Sequence, residues 1–263
     1  MERMKAVKKS MKFRLLISLI LLSCLAGPVF SASSETGRVN YYADMMDDSY
    51  YASLCRYVFD DHGISGLMDE FKALEQGIES SHYEQWKKDA SIGRAALIAA
   101  KYANDSDDKE LARTLMQIAD ERIAKAKGEG APVSATGVLE ALSTSFWYLV
   151  DGSLSKGMKF PGMVDDLYDE YPEDFHVLLL EAERYLNSPG IVGGNKRKGL
   201  NLFKDAESVM LEMGASPWDQ YTIYCGLAKG YDARDKEKEA KKYASLAMDI
   251  YSAGDEDVED ILD

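Results

Sequence analysis

The sequence is poor in the residues on which many protein sites depend. It has only 3 Cys, 3 His and 6 Pro among its 263 residues. His62, His82 and His176 fit no zinc pattern such as His-Glu-x-x-His, and a zinc ion needs several converging ligands. We therefore expect no metal site. Because most of the prolines lie between segments of helical periodicity, they leave room for long helices.

Patterns typical of catalysis are also missing. Adjacent carboxylates such as Asp107-Asp108 are common, but acid–base catalysis needs two carboxyl groups in unlike environments across a cleft. Gly193-Gly194 precedes a helix, yet neither phosphate-binding fingerprint is completed, so a tight turn is expected there. No nucleophile with a matching base is found. We expect neither an enzyme nor a bound cofactor.

Basic residues are outnumbered, and several of them are concentrated near the start. A basic stretch is followed by the apolar run of residues 15–22 and later by small residues at 31–34. This order predicts a secretory signal peptide over residues 1–31. A retained membrane anchor is the alternative, but the apolar stretch is short for a span and Gly27-Pro28 interrupts it.

Export would place the chain in the periplasm in one of two forms. Ordinary cleavage would release it, whereas Leu21-Leu-Ser-Cys24 resembles a lipobox, in which Cys24 would carry a lipid anchor. We favour the free form. Residues 1–31 hold six of the 31 basic and one of the 45 acidic residues, so the mature chain would have 25 basic and 44 acidic residues and a formal charge of −19. Such a surface repels phosphates, and we expect no nucleic-acid partner.

Two cysteines, Cys55 and Cys225, lie beyond the predicted leader. An oxidising compartment permits a disulfide between them. Two buried free thiols that pack as small apolar groups are the alternative. The sequence leaves this question open.

Small residues recur at matched separations. Two sets of alanines show the same separations of 12 and 7 residues, namely Ala100, Ala112 and Ala119, and Ala228, Ala240 and Ala247. A third set, Ala182, Gly199 and Ala206, keeps only the second separation. Antiparallel helices joined by a short turn approach closely only where side chains are small. The pattern predicts an all-α fold of antiparallel helix pairs, and no segment alternates for long enough to suggest a sheet.

Apolar periodicity and helix-breaking residues predict ten helices. They are expected near residues 42–60, 65–78, 82–104, 107–127, 134–151, 161–171, 173–187, 195–213, 217–233 and 235–251. The helical domain would span residues 38–252, and the acidic residues 253–263 would form a frayed tail.

One part of the sequence resembles the tetratricopeptide repeat (TPR), a helix pair with large and small residues at fixed positions. The matching residues are Tyr224, Leu227, Ala228, Tyr231, Ala240 and Ala247. Over residues 172–251, which include Pro189-Gly-Ile-Val-Gly-Gly-Asn195, the chain is similar to bacterial exported proteins with degenerate repeats of this kind. These include the helical accessory component associated with TRAP transporters. The resemblance implies a TPR-like superhelix, or α-solenoid, with a binding role, and it transfers no catalytic residue.

In such repeats the first helix of each pair lines a concave face, at positions −6, −3, +1 and +4 from its small packing residue. The binding candidates implied by the resemblance are Arg94, Leu97, Lys101, Asn104, His176, Leu179, Glu183, Leu186, Thr222, Cys225, Lys229 and Asp232. The cations among them suggest a partner that bears anionic or carboxylate groups.

These inferences favour a non-catalytic periplasmic or envelope scaffold that binds another protein or peptide through its concave helical surface. The alternative is an accessory component of a TRAP-type transporter that binds or passes a small ligand, either hydrophobic or carboxylate-bearing. An enzyme is the least favoured of the three classes, since no catalytic set is present in the sequence.

Overall fold

The computed structural model describes residues 38–41, 49–190, 193–253 and 255–263. The predicted signal peptide, Cys24 and the predicted helical residues 42–48 lie outside the described residues. The described chain is all-α, as predicted, and contains eleven helices: α1 (Ser49–Phe59), α2 (Leu67–Glu79), α3 (Gln85–Asp105), α4 (Lys109–Gly128), α5 (Val133–Asp151), α6 (Leu154–Glu170), α7 (Phe175–Asn187), α8 (Lys196–Met213), α9 (Pro217–Asp232), α10 (Glu237–Ile250) and α11 (Glu256–Leu262). No helix in this part of the chain is both long and apolar enough to cross a membrane.

Short polar side chains begin several of these helices. The carboxylate of Asp108 accepts a hydrogen bond from the Leu111 N–H group at 3.0 Å, at the start of α4. Asn195 caps α8 in the same way, and Ser216 caps α9 with a proline in the first turn. Such caps satisfy backbone N–H groups that have no partner within the helix.

The small residues of the predicted repeats lie at helix contacts. Each of the alanines in the two matched sets is buried, α3 packs against α4, and α9 packs against α10. At the third set, a Cβ atom on Gly199 would lie 2.8 Å from the backbone nitrogen of Leu186. Helices α7 and α8 therefore approach more closely there than a side chain would allow.

Helix contacts follow the order of the chain. Each helix packs against the next one, and the odd-numbered helices α1, α3, α5, α7, α9 and α11 also contact one another in sequence. The buried side chains form three clusters, centred on α1 to α4, on α5 to α7, and on α7 to α11. Leu54 and Val58 of α1 belong to the first cluster, whereas Cys55 belongs to the last.

The first helix also meets the end of the chain. The carbonyl of Phe59 accepts a hydrogen bond from the Ala253 N–H group at 2.8 Å, and the Asp60 carboxylate accepts two from Ser252, at 2.7 and 2.9 Å. The Phe59 ring lies 4.9 Å from that of Tyr221 and 5.0 Å from that of Tyr251. Helix α1 is thus held against α9 and against the residues that follow α10.

A short segment before α1 crosses the start of α7. Val39 donates a hydrogen bond to the Glu173 carbonyl at 3.1 Å and accepts one from the Phe175 N–H group at 2.9 Å. This parallel bridge is the only extended pairing among the residues that the structure describes. The Asn40 amide reaches the Gly214 carbonyl at 3.3 Å, so the segment also contacts the α8–α9 loop.

Two predicted boundaries are wrong. Helix α6 begins at Leu154 rather than at residue 161, and Pro161 lies inside it. The early part of α6 is held by packing, since a Cβ atom on Gly157 would lie 2.9 Å from the Tyr148 ring. The acidic end is not frayed, because residues 256–262 form α11 and Val258 is fully buried.

Candidate functional site

Helices α3, α7 and α9 bring charged side chains together in the middle of the molecule. We call this set the central polar cluster, and it consists of Arg94, His176, Glu183, Asp219 and Lys229. Four of the five were predicted as binding candidates, and only Asp219 was not. Helices α7 and α9 contact one another, and α3 reaches α9 through the ion pair of Arg94 and Asp219.

Asp219 is the centre of the cluster. Its carboxylate forms an ion pair with the Arg94 guanidinium and lies 3.5 Å from Nε2 of His176. The Ser216 hydroxyl donates a hydrogen bond to this carboxylate at 2.7 Å. The Ser216 hydroxyl oxygen also accepts a hydrogen bond from the Asp219 N–H group at 3.0 Å. Ser216 and Asp219 therefore bond to each other at the start of α9, and Asp219 also joins that start to α3 and α7.

The charge of Asp219 is stabilised by these neighbours. Burial by itself would raise the pKa of this carboxyl, but Arg94 and His176 outweigh that effect and hold the pKa well below its usual range. The Arg94 guanidinium also stacks on the Trp218 ring, 4.0 Å from the ring centroid. The buried pair is therefore fixed in position and is not available to an external partner without rearrangement.

Glu183 differs from the other members of the cluster. It is only partly exposed, and its carboxylate forms no hydrogen bond or ion pair with any described residue of the chain. Burial raises its pKa above the ordinary value, although Lys229, Lys101 and Arg94 act in the opposite direction. An enclosed carboxyl without a partner in the chain can accept hydrogen bonds from a bound molecule.

The predicted cations are each paired with a carboxylate of the same chain. Besides the pair of Arg94 and Asp219, Lys101 lies 2.7 Å from Asp105 and Lys229 lies 2.7 Å from Asp255. The pair at Lys101 is about half exposed, with 50% of the lysine side chain accessible, and the pair at Lys229 is more enclosed. An anionic partner would have to displace these internal carboxylates.

The remaining candidates are divided between the core and the rim. Those buried within the chain are Leu97, Leu179, Leu186 and Cys225, and His176 is buried as well. Thr222 and Asn104 are partly exposed, while Asp232 is exposed at the end of α9. The apolar residues at these positions pack between helices rather than facing solvent.

Two residues at the site, Asp219 and Trp218, were not predicted from the sequence. Asp219 and Trp218 follow Ser216 and Pro217, which indicate a helix start, and an acidic residue three positions after a serine cap is the signature of a capping box. That signal could have marked Asp219 as fixed in place. Its partner Arg94 lies 125 residues away, and no local pattern joins the two.

The two cysteines at the edge of the cluster are shielded from solvent. Both are free thiols and both are buried, and burial raises the pKa of each to about 12. The thiolate is the nucleophilic form, so neither side chain is suited to covalent chemistry near neutral pH. The structure thus favours the free-thiol alternative over a disulfide.

The arrangement as a whole can hold and orient a polar group. Among the described residues, no three His, Cys, Asp or Glu side chains are grouped so as to bind a metal ion. Comparison with protein-family models, with curated proteins and with solved structures found no significant match to this chain.

Proposed function

We propose that this protein is a non-catalytic helical-repeat scaffold of the cell envelope that binds a segment of another protein at the central polar cluster. The contacts between alternate helices support a TPR-like stack, since the first helices of successive pairs adjoin in such an arrangement. In that stack α3, α7 and α9 contribute to the inner surface. Export and envelope location rest on the features of residues 1–31.

One observation carries this proposal. Glu183 is enclosed among residues from three helices, yet it has no hydrogen-bonding partner in the described chain. Because Glu183 is partly exposed, its carboxylate can accept a hydrogen bond from a donor outside the chain. A partner segment that places N–H donors or a cationic side chain beside Glu183 would provide that hydrogen bond. The paired state of Arg94 and Lys229 disfavours a partner that binds through carboxylates alone.

Cross-linking in cells that make the full chain tests the location. A photo-reactive residue at Lys101, which lies near Glu183, should capture an envelope protein that mass spectrometry can identify. The same residue at Lys159, which is exposed on α6, is the matched control. Equal capture at both positions would contradict the proposal that the partner binds near Glu183.

Affinity for the captured protein, once purified, tests the chemistry. Glu183→Gln should weaken binding about tenfold, because a charge-assisted hydrogen bond is replaced by a neutral one. Glu110→Gln makes the same change on the exposed surface of α4 and should leave affinity unchanged. If the two variants bind equally well, Glu183 is not a partner contact.

A second candidate is an accessory component of a TRAP-type transporter that binds a small ligand. It is supported by the enclosure of the cluster, because α1 packs across α9 and the Tyr51 and Trp218 rings lie 6.4 Å apart between the two helices. Such enclosure suits a small molecule better than a long segment. Native mass spectrometry of the purified chain would show a retained ligand. If no ligand is found and capture at Lys101 is specific, only the scaffold function remains supported.

A further inference from the structure

A cleft of about 300 Å³ lies away from the central polar cluster. It is formed by α8, the end of α9 and the turn into α10, and shares no residue with that cluster. Its charged lining residues are Arg197, Lys204, Arg234, Lys236 and Glu239. Four cations therefore surround one carboxylate, in a chain that has 45 acidic and 31 basic residues overall.

These four cations are not neutralised within the chain. None of them forms an ion pair with a carboxylate among the described residues, whereas Arg94, Arg122, Arg184 and Lys229 all do. In an acidic protein, intramolecular carboxylates are plentiful, so a group of unpaired cations around one cleft is a local reversal of the overall charge. Like charges held close together repel one another, and an anion from solution would relieve that repulsion.

Part of the cleft is held in place by ring contacts. Nζ of Lys204 lies 5.0 Å from the centre of the Tyr231 ring, and that ring is stacked on Tyr243 with centroids 5.6 Å apart. Lys204 is thus positioned at one wall. Another lining residue, Lys236, precedes α10, whose first turn has no side-chain cap and carries Glu237 and Glu239.

We infer that this cleft binds a small oxyanion that carries at least two negative charges, such as a phosphate compound or a polycarboxylate. The volume is at the lower end of the range for small-molecule pockets. Arginine guanidinium groups match carboxylate and phosphate oxygens in paired hydrogen bonds, and the lysines supply point charges. This inference goes beyond the proposed scaffold role and does not depend on it.

Calorimetric titration of the full chain at low salt tests the site, with inorganic pyrophosphate and citrate as separate probes. The double variant R234Q/K236Q should bind at least about tenfold more weakly than the wild type, because two of the four cations are lost. The control K72Q/K159Q removes the same charge from two exposed lysines on α2 and α6, away from the cleft. It should bind as the wild type does.

Removal of the one acidic lining residue gives a second test, in which binding should become stronger rather than weaker. Glu239→Gln removes the single carboxylate of the lining and should strengthen binding several-fold, with affinity falling as salt is added. Binding of pyrophosphate alone would assign phosphate chemistry, and binding of citrate alone would assign polycarboxylates. The inference is overturned if neither probe binds, or if the cleft variant and the control variant lose affinity equally.

Discussion

Asp219 shows how one side chain can serve both its own helix and the contact between helices. With Ser216 it forms the start of α9, and with Arg94 it links that start to α3. Its carboxylate is only 1% exposed. The cost of burying the charge is offset by the guanidinium and by the hydrogen bonds, and removal of any one partner leaves that cost uncompensated.

Replacement of Asp219 by asparagine should therefore be strongly destabilising. We expect Asp219→Asn to lower the free energy of unfolding by about 3–5 kcal/mol, because the Arg94 charge loses its buried counter-ion. The control is Asp105→Asn, which breaks the exposed pair with Lys101 and should cost less than about 1 kcal/mol. Urea unfolding measures both, and equal losses would show that the buried pair contributes no more than the surface pair.

The same carboxyl predicts a dependence on pH. The pKa of Asp219 in the folded chain lies below its usual range, whereas an aspartate in an unfolded chain has a pKa of about 3.9. The ionised form thus stabilises the fold above about pH 4, and the gain is lost as pH falls towards the folded-state pKa. The stability difference between wild type and Asp219→Asn should be smaller near pH 3 than near pH 7. A constant difference would exclude this linkage.

At the scale of the helix, packing decides where an element exists. The acidic composition of residues 253–263 predicts a frayed end, yet α11 forms and places Val258 against the core. The helix predicted near residues 161–171 likewise begins seven residues earlier in the structure, at Leu154. In both places tertiary contacts stabilise a helix that local sequence preference does not favour.

Truncation of a buried valine tests whether α11 is packed against the core. Val258→Ala should lower the free energy of unfolding by about 1–3 kcal/mol, since buried methyl groups are lost and a cavity remains. Val133→Ala makes the same change at a residue that is 64% exposed and should alter stability by less than about 0.5 kcal/mol. Thermal or urea unfolding is the measurement, and a neutral Val258→Ala would indicate a frayed end after all.

At the scale of the whole molecule, α1 joins the first and last clusters of buried side chains. Tyr51 and Phe59 contact both clusters, and Cys55 belongs to the one formed by α7 to α11. The Cys55 thiol is protected by that contact. Its accessibility therefore reports whether α1 stays in place.

Truncation of Phe59 should release α1 locally. We expect Phe59→Ala to increase the rate at which Cys55 reacts with a thiol reagent about tenfold or more, because opening of α1 no longer requires separation of the Phe59 and Tyr251 rings. Mass spectrometry of the Cys55 peptide measures the rate. Phe160→Ala on α6 is the control. If both variants react in proportion to their loss of stability, Cys55 is exposed by global unfolding instead.

The sequence predicts the local part of this fold well. Small residues at Ala100, Ala182 and Ala228 mark helices that do pack closely against their neighbours, because helix pairing depends on side chains a few turns apart. The start of α6 could not be predicted, since it depends on the approach of Gly157 to Tyr148 on another helix.

The central polar cluster was predicted only in part. Positions counted from Ala100, Ala182 and Ala228 identified Arg94, Glu183 and Lys229. They could not show that α1 would cover some of these positions, because that depends on the summed rotation of several helix pairs. A small rotation at each pair accumulates along the chain, and no single spacing in the sequence records the total.

The bond between Asp60 and Ser252 joins residues 192 positions apart, and this has a consequence for synthesis. Translation delivers α1 long before the residues that complete its environment emerge from the ribosome. Until then Cys55 and Phe59 lack the Tyr221 and Tyr251 rings of the folded chain, and their apolar surfaces stay open to unwanted association. Closure of so long a loop also slows the final step of folding. A nascent chain therefore exposes the apolar side of α1 until the residues that follow α10 have been made.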